Sequence, residues 1–165
     1  MATVQRITPN LWFDGRAEEA ARFYTSVFPD SGITQVSRYS EVGFDVHGQP
    51  AGTVMTIDFT LLGMHFVGLN GGPQFSFTEA VSFIIDCADQ AEVDHYWERL
   101  GEGGDPAAQQ CGWLKDMFGV SWQVVPTVLG ELMSDSDPAV AERVMAAFLP
   151  MKKLVIADLE NAARG

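Results

Sequence analysis

The stretch Thr53-Val54-Met55-Thr56-Ile57-Asp58-Phe59-Thr60-Leu61-Leu62-Gly63-Met64-His65-Phe66-Val67-Gly68-Leu69-Asn70 decides the fold. From Thr53 to Leu62 the residues alternate, with Met55, Ile57, Phe59 and Leu61 on one side and Thr56, Asp58 and Thr60 on the other. That period belongs to a half-buried antiparallel strand. Gly63 reverses the chain, and Met64 to Asn70 supplies the second strand of a hairpin. Upstream, Ile7 to Phe13 is a short apolar run closed by Asp14-Gly15. Ala17, Ala20, Ala21, Tyr24, Val27 and Phe28 then recur at helical spacing until Pro29, predicting a strand followed by an amphipathic helix. Between Gly32 and Gly52, Val36 to Tyr39 reads as a strand, whereas Gly43, Gly48, Pro50 and Gly52 mark a loop.

Downstream of Asn70-Gly71-Gly72-Pro73 the order repeats. An apolar strand over Ala80 to Asp86 leads to a helix that begins at Asp89, with Glu92 three residues on as a capping box and Val93, Tyr96, Trp97 and Leu100 as its buried stripe. Gly101 to Pro106 ends that helix, and Gly112 to Phe118 and Ser121 to Val125 read as two strands joined at Gly119. Two halves of like element order suggest a tandem duplication. In the tail, Asp137-Pro138 caps a helix that Pro150 stops, and Lys152 to Ala163 forms another with Val155, Leu159 and Ala162 on one side. These helices are expected on the outside of the sheet or across a subunit interface. The boundaries fall at residues 1–72, 73–126 and 127–165 of one continuous structure.

The 165 residues carry 10 Lys and Arg against 22 Asp and Glu, a formal net charge of -12, which repels a phosphate backbone and argues against nucleic acid as partner. No apolar run approaches the ~20 residues of a membrane span, and the N-terminus lacks the basic-then-apolar pattern of a signal peptide. With two cysteines, Cys87 and Cys111, reading as reduced thiols, the expected compartment is the cytoplasm.

Phe13-Asp14-Gly15, Ala17, Glu19-Ala20, Phe23-Tyr24, Trp97, Leu100, Gly103-Gly104 and above all the run from Cys111-Gly112-Trp113-Leu114-Lys115-Asp116-Met117-Phe118-Gly119 to Val120-Ser121-Trp122-Gln123-Val124-Val125-Pro126 are similar to one family. They resemble the PhnB-like branch of the vicinal oxygen chelate superfamily, whose members are catalogued as 3-demethylubiquinone 3-methyltransferase-like or glyoxalase-like. The likeness extends through Met151-Lys152-Lys153 and Leu159. It implies an α+β fold of paired βαβββ modules, a cup-shaped mixed sheet of the glyoxalase/bleomycin-resistance/dihydroxybiphenyl dioxygenase kind with C-terminal helices, and a homodimer. In metal-dependent relatives four strand positions supply His or Glu ligands. Carried over, they fall near Thr8, near Asn70, near Ala80 (or Glu79, with a shift of one) and at Gln123. Thr, Asn, Ala and Gln offer neither imidazole nor an anionic ligand, so no metal and no other cofactor is expected.

Strand alternation argues for a ligand surface separately from that likeness. With Leu11 and Phe13 toward the helices, the positions Thr8, Asn10, Trp12, Thr56, Asp58, Thr60, Phe66 and Asn70 are expected on the cup side, joined by Ser82, Trp113 and Gln123 from the second half. The competing view is a solvated polar sheet face. Asp58 is the one candidate catalytic base, set against a structural role for its carboxylate. Asp116 reads as a turn residue, His65 as alternating to the helix side, His95 as lying beside a helix stripe, and Cys111 as an inert thiol facing the cup beside Trp113. His47, His65 and His95 show no ligand spacing. Gly101, Gly103 and Gly104 follow a helix and not the first strand of a parallel sheet, so methyl transfer is not expected.

These readings favour a metal-free small-molecule-binding protein. The alternatives are a lyase, isomerase or dioxygenase-type enzyme of the same superfamily, and a structural or regulatory dimer that binds nothing.

Overall fold

Leu62 and Gly63 both lie at positive φ, 48° and 80°, which makes the hairpin turn a tight two-residue reversal. That turn sets Leu61 opposite Met64, and hence Phe59 opposite Phe66 and Asp58 opposite Val67. A computed structural model describes residues 5–165. They divide at Ser76/Phe77 into two compact units.

The first unit runs β1 (Asn10–Phe13), α1 (Ala17–Val27), β2 (Gly32–Arg38), a single-turn α2 (Phe44–His47), β3 (Val54–Leu61) and β4 (Met64–Asn70). Its strands are ordered β1-β4-β3-β2, with β1 parallel to β4 and the other pairs antiparallel. The strand expected over Val36 to Tyr39 starts earlier, at Gly32, and the first strand is shorter than expected, leaving Thr8 outside it. Helix α1 buries Ala17, Ala20, Ala21, Tyr24 and Val27 against the sheet face that carries Leu11, Phe13, Ile57, Phe59 and Phe66. Tyr24 packs on Phe59, and Phe59 stacks on Phe66 with ring centres 5.5 Å apart. Gly68 permits the close approach: a Cβ there would lie 3.0 Å from Ile57 and 3.3 Å from Ala17.

The second unit runs β5 (Ser82–Cys87), α3 (Gln90–Gly101), one 3-10 turn (Pro106–Ala108), β6 (Trp113–Lys115), β7 (Ser121–Pro126), α4 (Thr127–Met133), α5 (Pro138–Phe148) and α6 (Ile156–Arg164). Three strands, ordered β5-β7-β6, form its sheet. The fourth strand implied for this module does not form, and its place in the chain holds the 3-10 turn. There Gly104 presses on β6 so closely that a Cβ would come within 2.1 Å of the Lys115 carbonyl. Asp89 caps α3 by accepting from the Glu92 amide, and Glu92 accepts in return from the Ala88 amide. Val93, Tyr96 and Leu100 pack toward Ile85, Cys87, Leu114, Trp122 and Val124.

The tail helices complete this second core. Leu154, Leu159 and Val144 are fully buried, and Gln90 holds the segment by donating to the Leu154 carbonyl and accepting from the Ile156 amide. Arg143 donates to the carbonyls of Ala162 and Ala163 at the end of α6, where the helix dipole favours a cation. Among the described residues no helix is long and apolar enough to cross a membrane.

Candidate functional site

Each sheet has one face covered by helix and one without. In the first unit the helix-free face carries Asn10 and Trp12 on β1, Gln35 and Ser37 on β2, Thr56, Asp58 and Thr60 on β3, and His65, Val67 and Leu69 on β4. Asp58 and His65 are diagonal neighbours across the hairpin, and His65 Nε2 lies 3.1 Å from Asp58 Oδ1. The backbone of His65 is gripped from the strand edge by one side chain: Gln5 accepts from its N–H and donates to its carbonyl, at 2.9 and 3.0 Å.

This register corrects three of the expected placements. Phe66 and Asn70 turn to the helix-covered face, and His65 takes the helix-free one. Phe66 is core. Asn70 is buried and both ends of its amide are engaged: Oδ1 accepts from the Ala17 amide at the start of α1, and Nδ2 donates to the Val54 carbonyl. The turn length carries the signal that sequence reasoning missed. With a two-residue turn at Leu62-Gly63, Phe59 and Phe66 must share a face, so His65 joins Asp58.

Trp12 is on the expected face, but its indole lies over Gly71, where an added Cβ would be 2.2 Å away. It donates to the Gly72 carbonyl at 2.8 Å and meets the edge of Phe75. The glycines after β4 are therefore the bed of this tryptophan.

In the second unit Ser82, Trp113 and Gln123 share the helix-free face, as expected, together with Ser121 and Lys115. Gln123 Nε2 donates to Ser82 Oγ at 2.9 Å. Lys115 pairs with Glu79, and its hydrogen bond holds the Glu79 carboxyl below the usual carboxylate range. Ser121 Oγ is buried without a hydrogen-bond partner among the described residues.

Asp116 is scaffold. Its Oδ1 accepts from the amides of Phe118 and Val120, and its Oδ2 from the indole of Trp122, which ties the β6–β7 turn to the core. Cys111, expected beside Trp113 on the helix-free face, instead adopts positive φ and donates from Sγ to the Leu149 carbonyl. Burial pushes the Cys87 thiol up to about 12, so it is inert as a nucleophile.

The donor set does not fit a metal. Asn70 is consumed in holding α1 to Val54, Glu79 is paired with Lys115, and Thr8 and Gln123 are neutral. Among the described residues no group of three or more His, Cys, Asp or Glu side chains is placed to hold an ion.

The family model for 3-demethylubiquinone-9 3-methyltransferase matches residues 5–125. The chain belongs to this family. A PhnB protein from Bacillus cereus is 38% identical, with 74% of this chain and 100% of that one covered and a TM-score of 0.63. The fold is also that of protein PA1353 from Pseudomonas aeruginosa, at 20% identity, 74% and 98% coverage and a TM-score of 0.56. It is shared with the fosfomycin resistance protein FosX from Mesorhizobium loti, at 16% identity, 82% and 99% coverage and a TM-score of 0.55. The PhnB-like chain is thus a mixed α+β protein of the glyoxalase/bleomycin-resistance kind. No curated protein matches it.

Proposed function

We propose that this PhnB-like protein binds a small molecule without a metal ion, on the helix-free sheet faces, and works as a homodimer. One observation carries the reading. Asn70, near which the resemblance to metal-dependent relatives puts a ligand, spends both ends of its amide on backbone groups of its own unit. Releasing it for an ion would leave the buried Ala17 amide unpaired, at about 1–3 kcal/mol. A face bearing Trp12, Val67 and Leu69 beside Asp58, His65, Thr56 and Thr60 offers the apolar area and sparse polar groups that small ligands need.

The test is a thermal-shift series with Zn²⁺, Ni²⁺, Mn²⁺ and Mg²⁺, each with and without EDTA, beside a set of small aromatic and cationic metabolites, since binders of the native state raise the midpoint. A metabolite should raise it with no dependence on metal. An EDTA-reversible rise with one metal would refute the reading. Light scattering on an eluting peak should give twice the monomer mass.

A second reading, a lyase- or isomerase-type enzyme of the superfamily, is favoured by one feature. The Asp58–His65 contact supplies a base on the proposed ligand face, which a passive binder does not need.

A further inference from the structure

We infer that Asp58 and His65 form a proton-accepting dyad for a weakly acidic hydroxyl of the phenol class, an inference that rests on the helix-free face of the first unit being the ligand surface. Three features converge on it. The first is orientation: Nε2 of His65 faces a carboxylate oxygen at 3.1 Å, so in the neutral ring Nε2 carries the hydrogen and Nδ1 keeps its lone pair. The second is rigidity. The Gln5 amide brackets the His65 backbone on both its N–H and its carbonyl, and β3 pairs with the same strand on its other edge. The third is access. The side chains of His65 and Asp58 keep 37% and 23% of their exposure, enough to meet a ligand and too little for full hydration.

The surroundings define the acid. Thr60 stands directly opposite His65, and Val67 and Leu69 continue the same row of β4, with Leu69 paired to Trp12. From His65 to Leu69 is four residues, about 13 Å at ~3.3 Å each. A flat apolar body can lie along that row with its hydroxyl at the imidazole. Across the face, β1 contributes neutral Asn10, β2 contributes neutral Gln35 and Ser37 and, at its far end against Val54, Arg38, whose guanidinium donates to the Gly52 carbonyl. Asp58 is therefore the carboxylate that balances a protonated His65. In the step proposed, the O–H bond of the ligand breaks and its proton goes to Nδ1. The ligand oxygen keeps the electron pair, and the imidazolium lies between the new oxyanion and Asp58. The net charge of the complex does not change, so an acidic protein of formal charge -12 can hold the anion.

The experiment uses 4-nitrophenol as probe and 4-nitroanisole, which has no acidic hydrogen, as its control. Binding is followed by equilibrium dialysis, and ionisation by the phenolate absorbance one pH unit below the phenol's own pKa. Both probes should bind, and the bound phenol should be ionised several-fold more than the free one. Asp58→Asn and His65→Asn, each with a melting midpoint close to the parent, should lose that excess and still bind 4-nitroanisole. Bound phenol with the ionisation of free phenol, or an excess that survives in both variants, overturns the dyad while leaving the binding surface intact. If neither probe binds, the surface itself falls as a site for aromatic ligands and the dyad falls with it. His65→Gln is the second variant should His65→Asn not fold.

Discussion

The two units share a plan and spend their polar residues differently. In the first, the buried polar residue of β4, Asn70, ties α1 to the sheet, and the helix-free face keeps an acid and a base in contact. In the second, the buried carboxylate Asp116 ties a turn to Trp122, and the helix-free face carries an amide bonded to a hydroxyl, Gln123 to Ser82. Each unit needs one buried polar clamp because a short connection leaves backbone amides that no ladder satisfies. The first face pairs a carboxylate with an imidazole, whereas the second pairs Lys115 with Glu79 and an amide with a hydroxyl.

The largest expected effect tests the clamp of the second unit. Asp116→Ala strands two amides and the Trp122 indole and should cost about 3 kcal/mol or more, read as a fall in the urea midpoint at unchanged slope. A change under about 1 kcal/mol would break the parallel with Asn70. Asn70→Ala should cost about 2 kcal/mol by the same reading, because it unpairs the Ala17 amide and the Val54 carbonyl. If it left stability alone and removed a metal-induced thermal shift, Asn70 would be a ligand after all.

Asp58→Asn should move stability by less than about 1 kcal/mol, since its partner is a part-exposed histidine. A larger loss would make the pair a third structural clamp and erase the contrast between the units. The smallest effect is expected of Gln123→Glu. It puts a carboxylate at the position where the resemblance implies one, on a part-exposed face, and should leave the melting midpoint unaffected by Zn²⁺ or Ni²⁺ because Asn70 stays engaged in its own unit. A metal-dependent rise of several degrees would show that one added carboxylate suffices for an ion to bind.

Much of this architecture is legible without coordinates where the signal is local. The stripe of α1, the Asp89–Glu92 capping box and the turn role of Asp116 all depend on residues a few positions apart. Cys111 was harder, because its positive φ and its bond to the Leu149 carbonyl involve a tail segment 38 residues away. The missing fourth strand of the second unit was hidden for a similar reason. Gly103-Gly104 reads as a helix stop, yet what those glycines serve is the close passage of a turn over the Lys115 carbonyl.

By itself the sequence determined the order of elements, the hairpin, the helix faces and the family, because period, caps and turn residues are properties of neighbouring positions. Tertiary structure decided which groups Asn70 and His65 bond, although the length of the hairpin turn already sets the faces they share. In β4 both alternating rows contain apolar residues, Phe66 with Gly68 on one side and Val67 with Leu69 on the other, so hydrophobicity does not say which row meets the helix. The two-residue turn makes the choice, and packing realises it. Phe66 stacks on Phe59 beneath Tyr24, which carries Asn70 to the Ala17 amide 53 residues away and leaves His65 beside Asp58.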